Sequence, residues 1–334
     1  MKFDLTRPDR SAGRCGRLKG GLSLDRVGDR LPKTREPDAL NAKSRKRMNQ
    51  STAVITPLTR NRTLSRVALY ATGMGLYSAL PVWNDRFPQS DLADVHSEIH
   101  AALTLVLGWL LVFRTNTAYS RWWEARTLWG RLVNASRNLA QKVTCLVEIQ
   151  ADHLQRFRRP LLAFPYALRD HLRSEDSLAK VPGYETSTDT PEHIPNYLVS
   201  QLYQELRECR RQKLIDGDEM RAIDDEMSEL LDICGGCERI YKTRVVTSYR
   251  IFARQCVLLY LVTLPWGISN DMGFWTIPMT MIISYFMLGL ETVAEHVEEP
   301  FGRDEDDLDL DGLCQTIDRS AGEIFDRFAV VEAS

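Results

Sequence analysis

The chain has 334 residues, with 43 Lys and Arg balanced against 45 Asp and Glu, and a mean hydropathy of -0.28. Those averages suit an ordinary soluble protein and give no reason to expect a nucleic-acid partner. Seven cysteines, odd in number and scattered, exclude a disulfide scaffold and fit a reducing compartment.

The averages conceal that charge comes in blocks. Residues 1–47 hold 14 Lys and Arg against 6 Asp and Glu, a net of +8 that leaves -10 for the rest. This head has no apolar core of the kind a secretory signal carries. Its Arg content suits an organellar transit peptide, but it is poor in Ser and carries six acids. Residues 1–57 therefore read as a basic, disordered tail without assigned function, with Met48 as a second plausible start, and 58–334 as one domain.

Four stretches lack Asp, Glu, Lys and Arg: 67–84, 99–113, 255–270 and 272–290. Each approaches the roughly 20 residues needed to cross a bilayer core. Asp271 alone separates the last two, with Asn270 and Gly273 beside it, which predicts a tight helical hairpin. The second stretch is the most telling. Its apolar run ends at Arg114, Thr, Asn and Ser follow, and then comes a block of Arg121, Trp122, Trp123, Glu124, Arg126 and Trp129. Trp and Arg bounding an apolar run mark a helix leaving lipid for the interface. Arg60, Arg62 and Arg66 precede the first stretch, whereas Asp85, Asp91, Asp94 and Glu98 lie between the first two. Arg114, Arg121, Arg126 and Arg131 follow the second, and Lys242, Arg244, Arg250 and Arg254 precede the third. The positive-inside tendency then puts both termini and the middle of the chain in the cytoplasm.

Residues 114–254 are too charged for lipid. Leu132, Leu139, Val143 and Leu146 recur at helical spacing, as do Leu161, Phe164, Leu168 and Leu172. The stretch 174–191 is rich in turn formers and reads as a surface loop, after which helices resume from Ile194 to Tyr241. The expected fold is an all-α membrane protein: four transmembrane helices continuous with a helical cytoplasmic region, made of 114–254 and 291–334. Glu124 is expected to pair with Arg121 and with an Arg of a neighbouring subunit, and Trp122 and Trp123 to sit at headgroup level.

The segment FRTNTAYSRWWEARTLWGRLVNASRN, from Phe113 to Asn138, resembles the signature of the bestrophin family of ion channels in its bacterial and plant-type branch. Three further segments resemble that family in the expected order: FPYALRDHLR, CERIYKTRVVTSY and LGLETVAEHVEEPFGRDEDDLDLDGLC. The second departs from it, because prolines are usual where 244–247 stand. The resemblance implies a homopentamer in a lipid bilayer, with one axial pore lined by the second helix.

Leu105, Trp109 and Phe113 are four apart and share one helical stripe, which Asn116, Thr117 and Ser120 extend as a polar wall. Without the resemblance this stripe reads more readily as helix-packing core. With it, Leu105, Trp109 and Phe113 are the rings of a hydrophobic neck and Asn116, Thr117 and Ser120 line the vestibule. Trp109 departs from the smaller aliphatic residues or Phe expected there. No charge lies on the stripe, so selection is left to aromatic edges, which favour an anion, and to dewetting, which favours weakly hydrated ions. The resemblance thus implies passive conduction of inorganic anions such as chloride; a cation-conducting homologue and a non-conducting membrane scaffold are the alternatives. A second constriction is expected at the cytoplasmic exit, with Tyr197 or Leu198 facing the axis where Ile194, Pro195 and Asn196 open a helix.

The acidic run after Pro300-Phe301-Gly302 invites a calcium site at Asp304 and Asp307, the place where animal bestrophins bind calcium. Arg303 stands where an acid would help, and the bacterial branch generally lacks that clasp, so a solvated acidic surface and no cofactor is the reading carried forward. Cys234 and Cys237 form a lone C-x-x-C that suits neither zinc nor redox work. His153, His171 and His193 are separated by loops and read as surface or packing residues. Nucleotide-binding and hydrolase motifs are missing from the sequence, so an enzyme is not expected. A bacterial inner membrane is the expected location, a plastid membrane the alternative.

Overall fold

In the computed structural model, residues 62–86, 97–147, 151–304 and 306–332 are described, and the secondary structure among them is helical throughout. The tail expected over 1–57, Met48 and Glu305 lie outside the described residues. The elements are α1 (Arg62–Tyr77), α2 (Ala79–Asn84), α3 (Ser97–Leu146), α4 (Ala151–Leu172), α5 (Ile194–Arg211), α6 (Gly217–Lys242), α7 (Thr247–Met272), α8 (Thr276–Glu298) and α9 (Leu310–Glu332).

The first apolar stretch is broken. Pro81 has no N–H for the Tyr77 carbonyl, so the helix is interrupted at Ser78, whose hydroxyl bonds back to Gly75 at 2.6 Å. The third and fourth stretches also differ from expectation. α7 continues through Asp271 to Met272, and the turn falls on Gly273, at φ 52°, followed by a 3-10 turn to Trp275. A left-handed backbone favours glycine there.

α3 runs unbroken for 50 residues, about 75 Å at 1.5 Å per residue. The polar run after Arg114 does not end it. Thr115, Thr117 and Thr127 each return their hydroxyl to the carbonyl four residues back, and Ser120 bonds to Thr117, so the side chains do not draw the backbone out of the helix. The helix serves two hydrophobic cores. Leu107 and Leu111 pack with Val257, Tyr260, Leu261 and Leu264 of α7. Further along, Trp129, Leu132, Leu139 and Val143 enter a larger core with Phe157, Phe164, Leu202 and Phe325.

Around the smaller core large apolar side chains face outward, among them Leu69, Leu76, Trp83, Leu258, Leu259 and Phe286. Such a continuous apolar exterior suits lipid or another subunit. α3, and α7 joined to α8, are long and apolar enough to cross a membrane. The helices around the larger core are conventionally built. Asp216 and Glu219 form a capping box on α6. The loop before α5 is less superficial than expected, because Leu178, Val181 and Tyr184 are buried in the larger core.

Candidate functional site

The stripe on α3 is exposed along its whole length. Leu105, Trp109 and Phe113 are 66%, 60% and 57% exposed, and Asn116, Thr117 and Ser120 continue outward below them. At about 100° per residue these six fall within about 120° of the helix circumference, while Leu107, Leu111, Arg114 and Ala118 lie opposite and are buried. The Trp109 and Phe113 rings lean on each other, with centroids 5.9 Å apart and planes tilted by 42°. One face of α3 is therefore committed to this subunit, and the other presents an apolar band that gives way to a polar one.

Where the two bands meet, the buried face carries an ionic network that the sequence reading missed. Arg114 is 2% exposed. Its Nε lies 2.7 Å from Glu291 Oε2 and its Nη2 3.8 Å from Glu298 Oε2. Arg254 of α7 approaches the other oxygen of Glu291 at 3.3 Å and also pairs with Glu295. Glu298 accepts from the Val245 backbone N–H at 3.2 Å, so the link into α7 is tied in as well. Arg121, one stripe further on, donates to the carbonyls of Ile240, Thr243 and Glu298. The network clamps α3, α7 and α8 together where the apolar stretches give way to the larger core. Its signal lay in the spacing: Arg114 follows Leu111 by three and precedes Ala118 by four, which puts it on the buried stripe.

Several placements correct the sequence reading. Glu124 pairs with Arg239 of its own chain, while Arg121 is engaged by backbone carbonyls. Trp122 is half-buried against the larger core and donates to the Asp306 carbonyl at 3.3 Å; Trp123 is exposed, and both indoles stack near Tyr119. Leu198 is fully buried in the larger core and cannot face an axis. Isoleucine at the start of α5 also turns inward, so the apolar face of that helix belongs to the core. Tyr197 is half-buried, with its hydroxyl donating to Asp189.

The acidic run is largely occupied with its own backbone. Asp307 Oδ2 accepts from the Asp304 N–H at 2.6 Å, and Asp309 accepts from the Gly312 N–H at 2.8 Å, capping α9. Burial pushes the Asp307 carboxyl up from its ordinary value. Asp311 pairs with Arg169 at 2.6 Å and Arg173 at 3.1 Å. Although burial opposes it, those two guanidinium groups hold the Asp311 carboxyl below its usual range. Arg303 pairs with Glu175 at 2.6 Å. Cys234 and Cys237 are buried thiols, Cys234 pushed up to about 12 by burial, which describes packing residues.

Comparison with known proteins places this architecture. The sequence profile of the Bacterial/Fungal Bestrophin protein family matches residues 43–323. A voltage-dependent anion channel-forming protein of Nostoc sp. is 34% identical over 234 residues, 66% of this chain and 75% of that one. One of Mesorhizobium japonicum is 31% identical over 268 residues, 79% of this chain and 86% of its own. A crystal structure of a bacterial bestrophin homolog from Klebsiella pneumoniae superposes with a TM-score of 0.73 at 26% identity, covering 78% of this chain and 97% of that one. The fold is that of a helical membrane protein in which one long helix joins membrane and cytoplasmic parts. The chain belongs to the bestrophin family.

Proposed function

We propose that the chain is an anion channel that conducts passively as a homopentamer in a bacterial inner membrane, with five copies of α3 around the axis. The observation that carries this is the exposed stripe of Leu105, Trp109 and Phe113 leading into Asn116, Thr117 and Ser120, opposite a face fully used in packing. Five such stripes facing one another make a dry neck above a wet vestibule. The names of the Nostoc and Mesorhizobium relatives support the anion assignment.

Selection then follows from the absence of charge on the stripe. Aromatic ring edges carry partial positive charge, and converging Trp109 and Phe113 edges favour a passing anion over a cation. An apolar constriction raises the barrier most for ions that hold water tightly, so large, weakly hydrated anions pass more readily than chloride. Conduction of this kind needs no resident cofactor. Of the two residues considered for the cytoplasmic aperture, Tyr197 is the one left to this role.

The test is the reversal potential of the purified protein in a planar bilayer under a KCl gradient. A potential near the chloride equilibrium value is expected; one near the potassium value overturns the anion reading, and silence overturns the channel. Trp109→Ala should raise conductance and blur selectivity, because the bulkiest ring residue and its aromatic edges are lost together. Leu107→Ala, on the packed face, should instead destabilise the protein by about 2–5 kcal/mol with selectivity kept. A Trp109→Ala channel that assembles and conducts like the wild type would mean that the indole points into the wall.

A further inference from the structure

Three elements of the cytoplasmic region, distant in sequence, bring two imidazoles and a carboxylate to one point. His171 lies in the last turn of α4, His193 is the N-cap of α5, and Glu238 lies near the end of α6. The two rings stand 4.6 Å apart, centroid to centroid. His193 Nε2 is 2.6 Å and His171 Nε2 3.2 Å from the same oxygen, Glu238 Oε1. The three potential ligand atoms all lie within 4.8 Å of one another, on side chains that are part-exposed. Behind His171, its Nδ1 is held by Asp176 Oδ1 at 3.0 Å.

We propose that His171, His193 and Glu238 bind a divalent transition-metal ion of the zinc class, with water in the remaining position. Two imidazole nitrogens and one carboxylate are a donor set that suits zinc, whose ligands at about 2.0–2.2 Å sit about 3.3 Å from each other in a tetrahedron. The Nε2 atoms and Glu238 Oε1 need open by only a fraction of an ångström to admit the ion. Asp176 supplies the carboxylate that orients a metal-bound imidazole: the His171 proton stays on Nδ1 and the Nε2 lone pair is free. The Lys242 ammonium donates to the other carboxylate oxygen, Glu238 Oε2, at 2.8 Å, which leaves Oε1 facing the two imidazoles. Lys242 is largely exposed, and its flexible stem can leave.

Binding would be felt by α5. The His193 Nδ1 accepts from the Asn196 N–H at 3.2 Å, so its ring proton sits on Nε2, facing Glu238. A metal at Nε2 needs that lone pair. The proton moves to Nδ1, Nδ1 stops accepting, and the N-terminus of α5 loses its cap. The buried trio His153, Glu205 and Cys209 is the competing cluster. There, His153 is already bonded on both sides, by Glu205 and by Gln212, Arg156 stands 3.8 Å from Glu205, and burial pushes the Cys209 thiol up to about 11. Bonding on both ring nitrogens is common to the histidines of the two clusters; what opposes a cation at the trio is its full burial, which leaves no position for water, and the guanidinium beside Glu205.

The test uses the full-length protein in detergent, stripped with chelator and titrated with Co2+ as a spectroscopic probe, with Zn2+ as competitor. Expected are one tetrahedral Co2+ per subunit, displaced by Zn2+, without a sulfur-to-cobalt charge-transfer band. Asp176→Asn should weaken binding by about 10–100-fold, and the same-size variants His171→Asn and Glu238→Gln by at least as much. Cys209→Ser should bind as the wild type does. A charge-transfer band that vanishes in Cys209→Ser would overturn the assignment in favour of the buried trio, and this reading needs only the wild type and that variant to fold. Failure of the wild type to bind, or undiminished binding by His171→Asn, would overturn it outright. Neither result bears on conduction, so the channel reading stands or falls separately.

Discussion

A guanidinium as enclosed as that of Arg114 has to be neutralised inside the protein, and Glu291 and Glu298 do so from α8. Removing the cation alone strands two acids at the seam of three helices. Arg114→Met should therefore cost about 3–5 kcal/mol, read as a lower unfolding temperature of the detergent-solubilised protein. The double variant Arg114→Met, Glu291→Met should recover part of that loss, since one stranded acid goes with it. A single variant that melts like the wild type would show the network to be energetically idle. On the sequence, Arg114 reads only as the basic flank of a span. The better reading comes from following Leu107 and Leu111 around the helix, which leads to Arg114 and demands a partner for it. A partner's identity is beyond periodicity, because Glu291 is 177 positions away and only the packing of α8 on α3 brings it near.

At the scale of the element, hydropathy and charge located the apolar helices but not their ends. Pro81 breaks the first, Gly273 turns the last pair, and threonine hydroxyls bonded to their own helix carry α3 past the point where its apolar character stops. Spans are recognised by what lipid tolerates, whereas helix ends are decided by single backbone hydrogen bonds. The orientation argument yields its own test. In spheroplasts, an impermeant maleimide should label Arg86→Cys, in the turn after α2, without permeabilisation. Native Cys145, exposed near the far end of α3, should label only after the membrane is opened. Labelling in the reverse order would invert the topology. The close approach of α7 to α3 is equally specific: a Cβ on Gly267 would collide with the ring of His100, so no larger residue fits without displacing that imidazole.

For the whole molecule, the contrast between the two cores is what matters. The cytoplasmic core is large and closed, while the membrane core is small and surrounded by outward-facing Leu69, Trp83, Leu259 and Phe286. Such an exterior suits lipid on one side and, on the proposed function, copies of the same subunit on the other. Five subunits of 38.2 kDa predict a protein mass of about 190 kDa for the particle after mild extraction, by light scattering corrected for detergent. A monomer or dimer would count against the pore. The sequence made the membrane class and the α3 stripe legible because both are periodic and local. Leu198 was misplaced because an amphipathic helix presents the same pattern whether its apolar face meets an axis or a core. His171 and His193 went unread as a pair because loops separate them in the chain and only folding brings them beside Glu238.

The unbroken α3 also limits how such a chain can change over generations. One residue inserted between Phe113 and Trp129 would turn one end of the helix by about 100° against the other. Either Leu105, Trp109 and Phe113 would swing off their line, or Trp129, Leu132 and Leu139 would be pulled from the core that holds them. No loop intervenes to absorb the error. Descendants of this sequence can exchange side chains along the rod, and can lengthen or shorten exposed stretches such as 185–190, but they inherit the residue count of the rod itself. Family members should accordingly align through it without a gap, however far their identities have drifted.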